Sequence, residues 1–361
     1  MLSVGLDVHQ SSSSICVLDA KGNRIRQKEV RGGWDQVVLA LGQIKGEFQE
    51  PLRICYEAST GYGALYERLV PVAQEVLVAH PGRLALIFKS KRKSNKADAS
   101  KLAALLHLNQ VPAVHVPKQE VRSWRGLIEY RGRLVDKRIM AKNQIRALLR
   151  GQGIKGPWGK TLWTKRGMQW LKEQKWPTAM EALRLEMLLE EVGDLDSKVR
   201  RVTETLDQIA GDHAGVRLLK TIPGVGPRTA EAFAAYVDDP HRFRSGSIGA
   251  YFGLVPREDS TGDVRRLGHV TREGPSTVRK LVTEAGWRGV SLSPRMKGVF
   301  ERIGRGDKGR KKLAIVALGH WLCRVMLAML KTGEAFRELP EAAVPQAAAA
   351  VLEEGEPGEL V

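Results

Sequence analysis

The chain has 361 residues, with 58 Lys and Arg against 40 Asp and Glu, which gives a formal charge of +18. This length predicts about two or three domains, and the charge favours a polyanionic partner, usually nucleic acid. Three widely spaced cysteines without a C-x-x-C pair predict reduced core thiols and exclude a zinc site or disulfide framework. We identify in the sequence neither a signal peptide nor an apolar run of about 18 residues, the length that a membrane-spanning helix needs. We therefore expect a soluble cytoplasmic protein with no membrane association.

The acidic residues are concentrated at the end of the chain. Six glutamates and no basic residue follow Arg337, so the preceding body carries six positive charges more than the whole chain. Residues 338–361 are rich in Ala, Glu, Pro and Gly. Such a segment has little apolar surface to bury, and we predict a disordered acidic tail.

Residues 1–117 have the pattern of an α/β domain. Three β-rich runs in succession, followed by strand–helix alternation, predict a mixed sheet with an antiparallel hairpin at its edge. A Lys-Gly-Asn turn at 21–23 fits that hairpin. The predicted strands are Val4–Val8, Ser14–Leu18, Arg24–Val30, Leu52–Tyr56 and Glu75–Val78, and the predicted helices are Trp34–Lys45 and Gly61–Ala73.

Acidic residues end two of these apolar runs. Asp7 ends the first and Glu57 ends the fourth, while Asn95 and Asp98 are three residues apart, a spacing that puts them on one helix face. Carboxylate and amide oxygens are the ligands that Mg²⁺ and Mn²⁺ prefer, together with substrate phosphates. In a basic protein, these four residues predict a metal site for phosphodiester chemistry.

Residues 118–212 predict a helical connector. Val121–Leu149 is amphipathic, and a Trp- and Gly-rich insert at Gly151–Trp176 separates it from a second helix. That second helix has an a/d seam, which predicts either an intramolecular helical hairpin or a dimerising coiled coil. The seam consists of Leu185, Leu188, Val192, Leu195, Val199, Val202, Leu206 and Ile209.

Residues 213–337 predict a third, mostly helical domain. It begins with a Pro-Gly-Val-Gly turn that contains Gly224 and Gly226 between two short helices, with Lys220 and Arg228 on either side. A helix-hairpin-helix of this kind contacts a phosphate backbone through the N–H groups of its second helix. The alternative is an ordinary helix turn.

A hydroxyl pair follows in the same domain. Ser260 and Thr261 precede Gly262, and an apolar helix is predicted to begin near Ser276. A serine in such a loop can attack phosphorus while nearby guanidinium groups stabilise the developing charge. The alternative is that Ser260 is only a turn residue. The basic residues after the pair are Arg265, Arg266, His269 and Arg272.

Taken in order, these motifs resemble the DEDD transposases of the insertion-sequence 110 family, in particular its 1111 subgroup, which is related to the Piv-type DNA invertases. The resemblance extends from Ser3 to about Thr332. The motifs that carry it are Gly-Leu-Asp7-Val-His, Tyr-Glu57-Ala-Ser-Thr-Gly-Tyr, Asp98-Ala-x-x-Leu-Ala, Ile-Pro-Gly-Val-Gly and Gly-Leu-Val-Pro-Arg-Glu-Asp-Ser260-Thr-Gly.

The resemblance implies a RuvC-like domain of ribonuclease H fold, a coiled-coil connector and a second catalytic domain with the helix-hairpin-helix. It also implies DNA strand exchange by a Mg²⁺-binding acidic tetrad and a serine that becomes linked to DNA. The further partners it implies are donor and target DNA and a structured guide RNA from the element. Since joining four DNA ends requires more than one active site, we also expect a homodimer or homotetramer. It implies action in the bacterial cytoplasm, at the nucleoid.

The correspondence of site residues departs from the family at one position. Asp7, Glu57 and Asp98 match the first, second and fourth acids, but Asn95 stands where the family usually has Asp. Asn keeps one oxygen ligand and removes a negative charge, so we expect weaker metal binding. Ser260 is the expected nucleophile, with Thr261 as the alternative.

Two other functions remain open at this stage. In the first, the protein is a metal-dependent junction nuclease that uses water as its nucleophile. In the second, it is a non-catalytic nucleic-acid-binding protein.

Overall fold

The computed structural model describes residues 1–87, 94–156, 159–261 and 264–338. It contains two compact units, Met1–Arg122 and the chain from Ser123 onward. The predicted boundary at residue 117 lies close to this division, whereas the boundary between 212 and 213 falls inside the second unit. The predicted tail, apart from Glu338, and Gly262 lie outside the described residues.

The first unit contains a five-stranded mixed sheet. Its strands are β1 (Leu2–Val8), β2 (Ser12–Leu18), β3 (Arg24–Arg31), β4 (Leu52–Glu57) and β5 (Glu75–Ala79). The strand order is β3-β2-β1-β4-β5, with β2 antiparallel to both β1 and β3, and with β1, β4 and β5 parallel to one another. This confirms the predicted mixed sheet with its hairpin edge.

Helices cover both faces of this sheet. They are α1 (Trp34–Phe48), α2 (Tyr62–Leu69), α3 (Pro81–Ile87) and α4 (Asn95–His107). Alternate residues of β1, such as Val4 and Leu6, pack in one core with α1, while Gly5 faces α4 on the other side. Helix α2 is shorter than predicted, and α3 was not predicted.

Gly5 determines how α4 lies on the sheet. A Cβ atom at Gly5 would lie 2.0 Å from the carbonyl oxygen of Ala99 and 2.4 Å from the nitrogen of Ala103, so a larger residue would displace the helix. At the other end of α4, the His107 ring lies beside Gly22 in the β2–β3 turn. Helix α4 therefore runs antiparallel to β1, and its N-terminus lies at the end of the sheet where β1 finishes.

Most of α5 (Gln119–Gly151) belongs to the second unit, where it forms a helical hairpin with α7 (Ala179–Asp212). An insert that contains α6 (Lys165–Lys172) joins the two helices. Seam residues Leu195 and Val199 of α7 pack on Leu134 of α5. Nearby, the guanidinium Nη1 of Arg138 lies 2.6 Å from Asp196 Oδ1. This part of the seam therefore packs within one chain, as the intramolecular alternative predicts, whereas Ile209 at its end is 38% exposed.

The remainder of the second unit is mostly helical, as predicted. Trp124, Ile128 and Leu206, at the base of the hairpin, belong to the same hydrophobic core as the later helices, which explains why no division occurs near residue 212. The later elements are α8 (Ala214–Leu219), α9 (Pro227–Val237), α10 (Ser247–Tyr251), β6 (Pro256–Glu258), β7 (Leu267–Val270), α11 (Ser276–Leu292), α12 (Pro294–Gly304) and α13 (Lys311–Thr332).

Helix α13 corrects the expectation that the chain has no long apolar run. Among the described residues, it is the one helix with the length and composition to cross a membrane. Half of its most apolar stretch is buried, however, and Leu318, Leu322 and Met326 belong to the core of the second unit. Packing within the protein accounts for its composition.

Candidate active-site residues

Asp7 and Glu57 lie side by side at the carboxyl ends of two neighbouring parallel strands. Leu6 pairs in register with Tyr56, so each acid is the next residue along its strand. By strand alternation they share the face of Gly5 and Cys55, which α4 covers. The Asp7 side chain is 21% exposed. Both carboxylates therefore lie at one end of the sheet on one face.

Asn95 and Asp98 lie in the first turn of α4, at that same end of the sheet. Ser94 caps the helix there, because its Oγ accepts a hydrogen bond of 3.3 Å from the Ala97 nitrogen. Asn95 is exposed. The Asp98 carboxylate lies 3.0 Å from the Lys101 ammonium. The structure thus places all four predicted metal ligands at one edge of the first unit.

The donor types at this edge fit a hard divalent cation, since all are oxygen ligands. The positions of the four side chains, however, do not surround a single cation in this structure. Within the described parts of the chain, no three His, Cys, Asp or Glu side chains form a group that could hold a metal ion. Asp98 is paired with Lys101, and Asp7 Oδ2 lies 3.3 Å from His9 Nε2. Each of these two carboxylates thus has a basic side chain as its neighbour.

Ser260 lies at the closed end of an exposed two-stranded ribbon, where the sequence predicted a loop. Strand β6 pairs antiparallel with β7, and beyond β6 the nitrogen of Asp259 donates to the carbonyl oxygen of Arg266 over 2.9 Å. Thr261 and Val264 then form a further backbone bridge. The ribbon presents Ser260 to solvent.

Among the described residues, the Ser260 hydroxyl makes two hydrogen bonds. Its Oγ donates to Glu258 Oε1 over 3.0 Å and accepts from the backbone nitrogen of Arg266 over 3.2 Å. The Arg265 Nε lies 3.6 Å from the same Glu258 oxygen. Sequence reasoning predicted the two arginines but missed Glu258. The i, i+2 spacing of Glu258 and Ser260 on a strand could have revealed it.

The predicted helix-hairpin-helix is formed by α8 and α9, but its first glycine faces the protein. Gly224 has a φ of +87°, and a Cβ there would lie 2.6 Å from the nitrogen of Gly289 on α11. Gly226, which caps α9, and Lys220 are exposed. Gly224 therefore serves close packing, whereas Lys220 and Gly226 remain accessible.

Arg228 does not have the exposed position that phosphate binding requires. Its side chain is only 16% exposed, with Nη1 at 3.1 Å from Glu231 Oε1 and Nη2 bonded to Asp207. Glu231 is almost completely buried, and burial raises its pKa to about 7, although Arg228 and Arg131 oppose that shift. Sequence reasoning missed Glu231, because a single glutamate on a helix usually faces solvent.

The far half of the helical hairpin carries a strongly basic surface that sequence reasoning also missed. Residues 131–175 contain thirteen Lys and Arg but only two acids, Asp136 and Glu173. The Lys142 ammonium and the Arg146 guanidinium lie 4.9 and 5.3 Å from the ring centroid of Trp163. We call this segment the basic hairpin surface. Its exposed cations are Arg133, Lys137, Arg150, Lys155, Lys160, Lys165, Arg166, Lys172 and Lys175.

Comparisons with known proteins identify the family of the chain. A family model described as the transposase IS116/IS110/IS902 family matches residues 216–301, and a model for DEDD transposases of the IS110 type matches residues 4–153. The chain belongs to the IS110 family of transposases. It is therefore a DNA transposase.

Individual relatives of this IS110-family transposase cover most of its length. The putative transposase y4qE of Sinorhizobium fredii is 32% identical over 288 residues, which span 79% of this chain and 70% of the relative. The transposase for insertion sequence element IS1111A of Coxiella burnetii is 25% identical, over 92% of this chain and 91% of the relative. The transposase for IS1328 of Yersinia enterocolitica is 27% identical, over 78% and 81%.

Proposed function

We propose that this transposase cleaves and exchanges DNA strands with two sets of residues, one acidic and one containing Ser260. The observation that carries the proposal is the hydrogen bonding of Ser260 Oγ, which has an acceptor at 3.0 Å and a backbone donor at 3.2 Å on an exposed ribbon. A hydroxyl held in this way can attack phosphorus, and the product is a phosphoserine link to DNA. Arg265, whose Nε lies 3.6 Å from Glu258 Oε1, and Arg266 would stabilise the developing charge.

Asp7, Glu57, Asn95 and Asp98 would hold Mg²⁺ or Mn²⁺. A bound divalent cation neutralises charge on the scissile phosphate and orients it. The all-oxygen donor set and its location at one end of the sheet support this assignment, although the carboxylates would have to come closer together to share one ion. Asn95 is neutral, so the affinity for metal is expected to be lower than with four carboxylates. The strand order of the first unit is compatible with the proposed RuvC-like fold.

The proposed partners are donor and target DNA and a structured RNA of the element, which would act as a guide. The basic hairpin surface, together with Lys220, Gly226 and Arg265, offers cations and backbone N–H groups to phosphates. An A-form RNA is recognised mainly by shape and backbone, which needs no base-specific side chains. Joining several DNA ends requires more than one active site, so a homodimer or homotetramer is proposed. Its place of action would be the nucleoid.

The test is a search for a covalent adduct. Purified protein is incubated with DNA from the end of its element, flanking RNA and Mg²⁺, and then denatured in SDS. Mass spectrometry locates any modified residue. We expect an adduct on Ser260 that disappears in both Ser260→Ala and Asp7→Ala, while Thr261→Ala retains it.

Each other outcome identifies a different function. Cleaved DNA without an adduct, retained in Ser260→Ala, would indicate a nuclease that uses water. An adduct on Thr261 would move the nucleophile by one residue. No product with the natural chain but product with Asn95→Asp would show that Asn95 impairs catalysis, and no product from either would support a binding protein.

A further inference from the structure

Glu258 and Ser260 form a pair on one face of the ribbon. They are two residues apart at the end of β6, and the Ser260 hydroxyl points its proton at Glu258 Oε1 over 3.0 Å. Both side chains lie in a part of the second unit that is exposed to solvent, so a DNA strand can approach the hydroxyl from outside. A carboxylate within hydrogen-bond distance of a nucleophile's proton satisfies the geometric requirement for a general base.

We propose that Glu258 takes the proton of Ser260 as the serine attacks DNA. The inference rests on the proposed function and adds a catalytic residue to it. The bond from Ser260 Oγ to phosphorus forms while the bond from phosphorus to the leaving strand's oxygen breaks. The Oγ proton moves to the Glu258 carboxylate. The leaving oxygen keeps the electron pair of the broken bond and takes a proton from water.

The surroundings of the pair fit this role. The backbone N–H of Arg266 donates to Ser260 Oγ, so it stabilises the oxygen as negative charge builds on it during proton loss. The Arg265 Nε, 3.6 Å from Glu258 Oε1, helps to keep the carboxylate on the side of the serine. Among the described residues of this ribbon, the other charged or titratable side chains are Arg257, Asp259, Arg266 and His269.

Glu258→Gln separates proton transfer from simple positioning. Glutamine has the same shape and its amide oxygen still accepts the Ser260 hydrogen bond, but it cannot take a proton at neutral pH. We expect initial rates of adduct formation to fall about 100-fold or more, within the usual range for general bases. DNA binding, measured by gel shift, stays unchanged. Glu258→Asp keeps a base at a greater distance and recovers part of the rate.

The pH profile provides a readout that a structural role would not change. Without Glu258, we expect Ser260 to lose its proton to hydroxide, so the adduct rate of Glu258→Gln should rise about tenfold per pH unit between about pH 6 and 8. The natural chain varies much less over this range. Asp259→Asn is the matched control, because it removes an adjacent carboxylate that has no described contact with Ser260, and it keeps the natural rate and profile.

Adduct formation by the natural chain and by Glu258→Gln tests the proposed function and the role of Glu258 separately. If the natural chain forms no adduct on Ser260, the proposed function is wrong. If it forms the adduct and Glu258→Gln does so at the natural rate with the same pH profile, only the role of Glu258 as a base is overturned. A lower rate with an unchanged profile would make Glu258 a positioning residue and would also overturn the proposal.

Discussion

At Gly5 the backbone of α4 approaches β1 so closely that only a hydrogen atom fits between them. Gly5→Ala would bring a methyl carbon within 2.0 Å of the Ala99 oxygen, which is backbone and cannot rotate away. We expect a loss of about 1–3 kcal/mol or more in the free energy of unfolding, as for other overpacked sites. Urea denaturation followed by circular dichroism measures it.

Gly42→Ala is the control for this substitution. Gly42 lies in α1, and a Cβ there meets nothing within 4 Å. Alanine has the higher helix propensity, so the control should gain about 0.5–1 kcal/mol. Equal effects of the two substitutions would contradict the close approach of α4 to β1.

The burial of Glu231 predicts that the free energy of unfolding depends on pH. Burial raises its pKa from 4.5 to about 7, so the folded chain binds this proton more tightly than the unfolded chain. The contribution of Glu231 to the free energy of unfolding therefore falls as pH rises through this interval, by up to about 1.4 kcal/mol per pH unit. Urea unfolding near pH 5 and near pH 8 tests this against Glu231→Gln.

The neutral variant should match the natural chain at the lower pH, where Glu231 is largely protonated, and be the more stable of the two at the higher pH. If Glu231→Gln is instead the less stable protein at the higher pH, the ion pair with Arg228 outweighs the cost of burying the charge. Such a result would reverse the direction of the pKa shift.

For the helical hairpin, we expect a core substitution to lower the free energy of unfolding by the same amount at every protein concentration. Leu188, on the inner face of α7, is 7% exposed and packs in the core shared with α5. Leu188→Ala should lower the free energy of unfolding by about 2–5 kcal/mol. Leu183 on the same helix is 56% exposed, so Leu183→Ala should change it by less than about 0.5 kcal/mol.

Denaturation at several protein concentrations completes this test. An intramolecular seam gives the same decrease in stability for Leu188→Ala at every concentration. A decrease that grows on dilution would show that α7 also pairs with another copy of the chain in solution.

Sequence patterns predicted the elements that bury apolar residues. Strands β1, β2 and β4 are buried along most of their length, and the two long helices each bury an apolar stripe. The short strands of the β6–β7 ribbon are mostly exposed and rich in charge, so the sequence suggested a loop. A heptad seam likewise does not specify its partner, and only the structure shows that Leu195 and Val199 pack on Leu134 of the same chain.

The candidate site was also predictable in part. Asp7 and Glu57 follow apolar strands, and parallel strands bring their carboxyl ends together. The sequence could not show that Asp98 pairs with Lys101, or that Arg228 is held by Glu231, because those interactions depend on side-chain geometry. Because the sequence does not show this pairing, it predicted that Arg228 would face a phosphate.

For the whole molecule, the charge predicts nucleic-acid binding that weakens steeply with salt. Lys137, Lys155 and Lys172 are exposed on the basic hairpin surface. Replacing all three with Gln should reduce the slope of log affinity against log salt concentration by about one for each phosphate that the protein no longer neutralises. Fluorescence anisotropy with labelled element RNA or DNA at several salt concentrations measures the slope.

A triple variant elsewhere on the hairpin separates this surface from net charge. Lys198, Arg200 and Arg201 are exposed on α7, and their replacement by Gln changes the total charge by the same amount. The control should alter the slope less. If both variants change it equally, the general field of the protein dominates and the basic hairpin surface has no special role.

The buried cysteines make this protein convenient for spectroscopy. Cys16, Cys55 and Cys323 are all free thiols in the interior, and burial raises the pKa of Cys55 to about 12 and raises that of Cys323 as well. Only thiolates that reagents can reach are modified quickly. A cysteine introduced on the ribbon or on α4 would thus take a maleimide dye selectively in the otherwise natural chain. Pairs of such dyes would report whether the distance between the two units changes when nucleic acid binds.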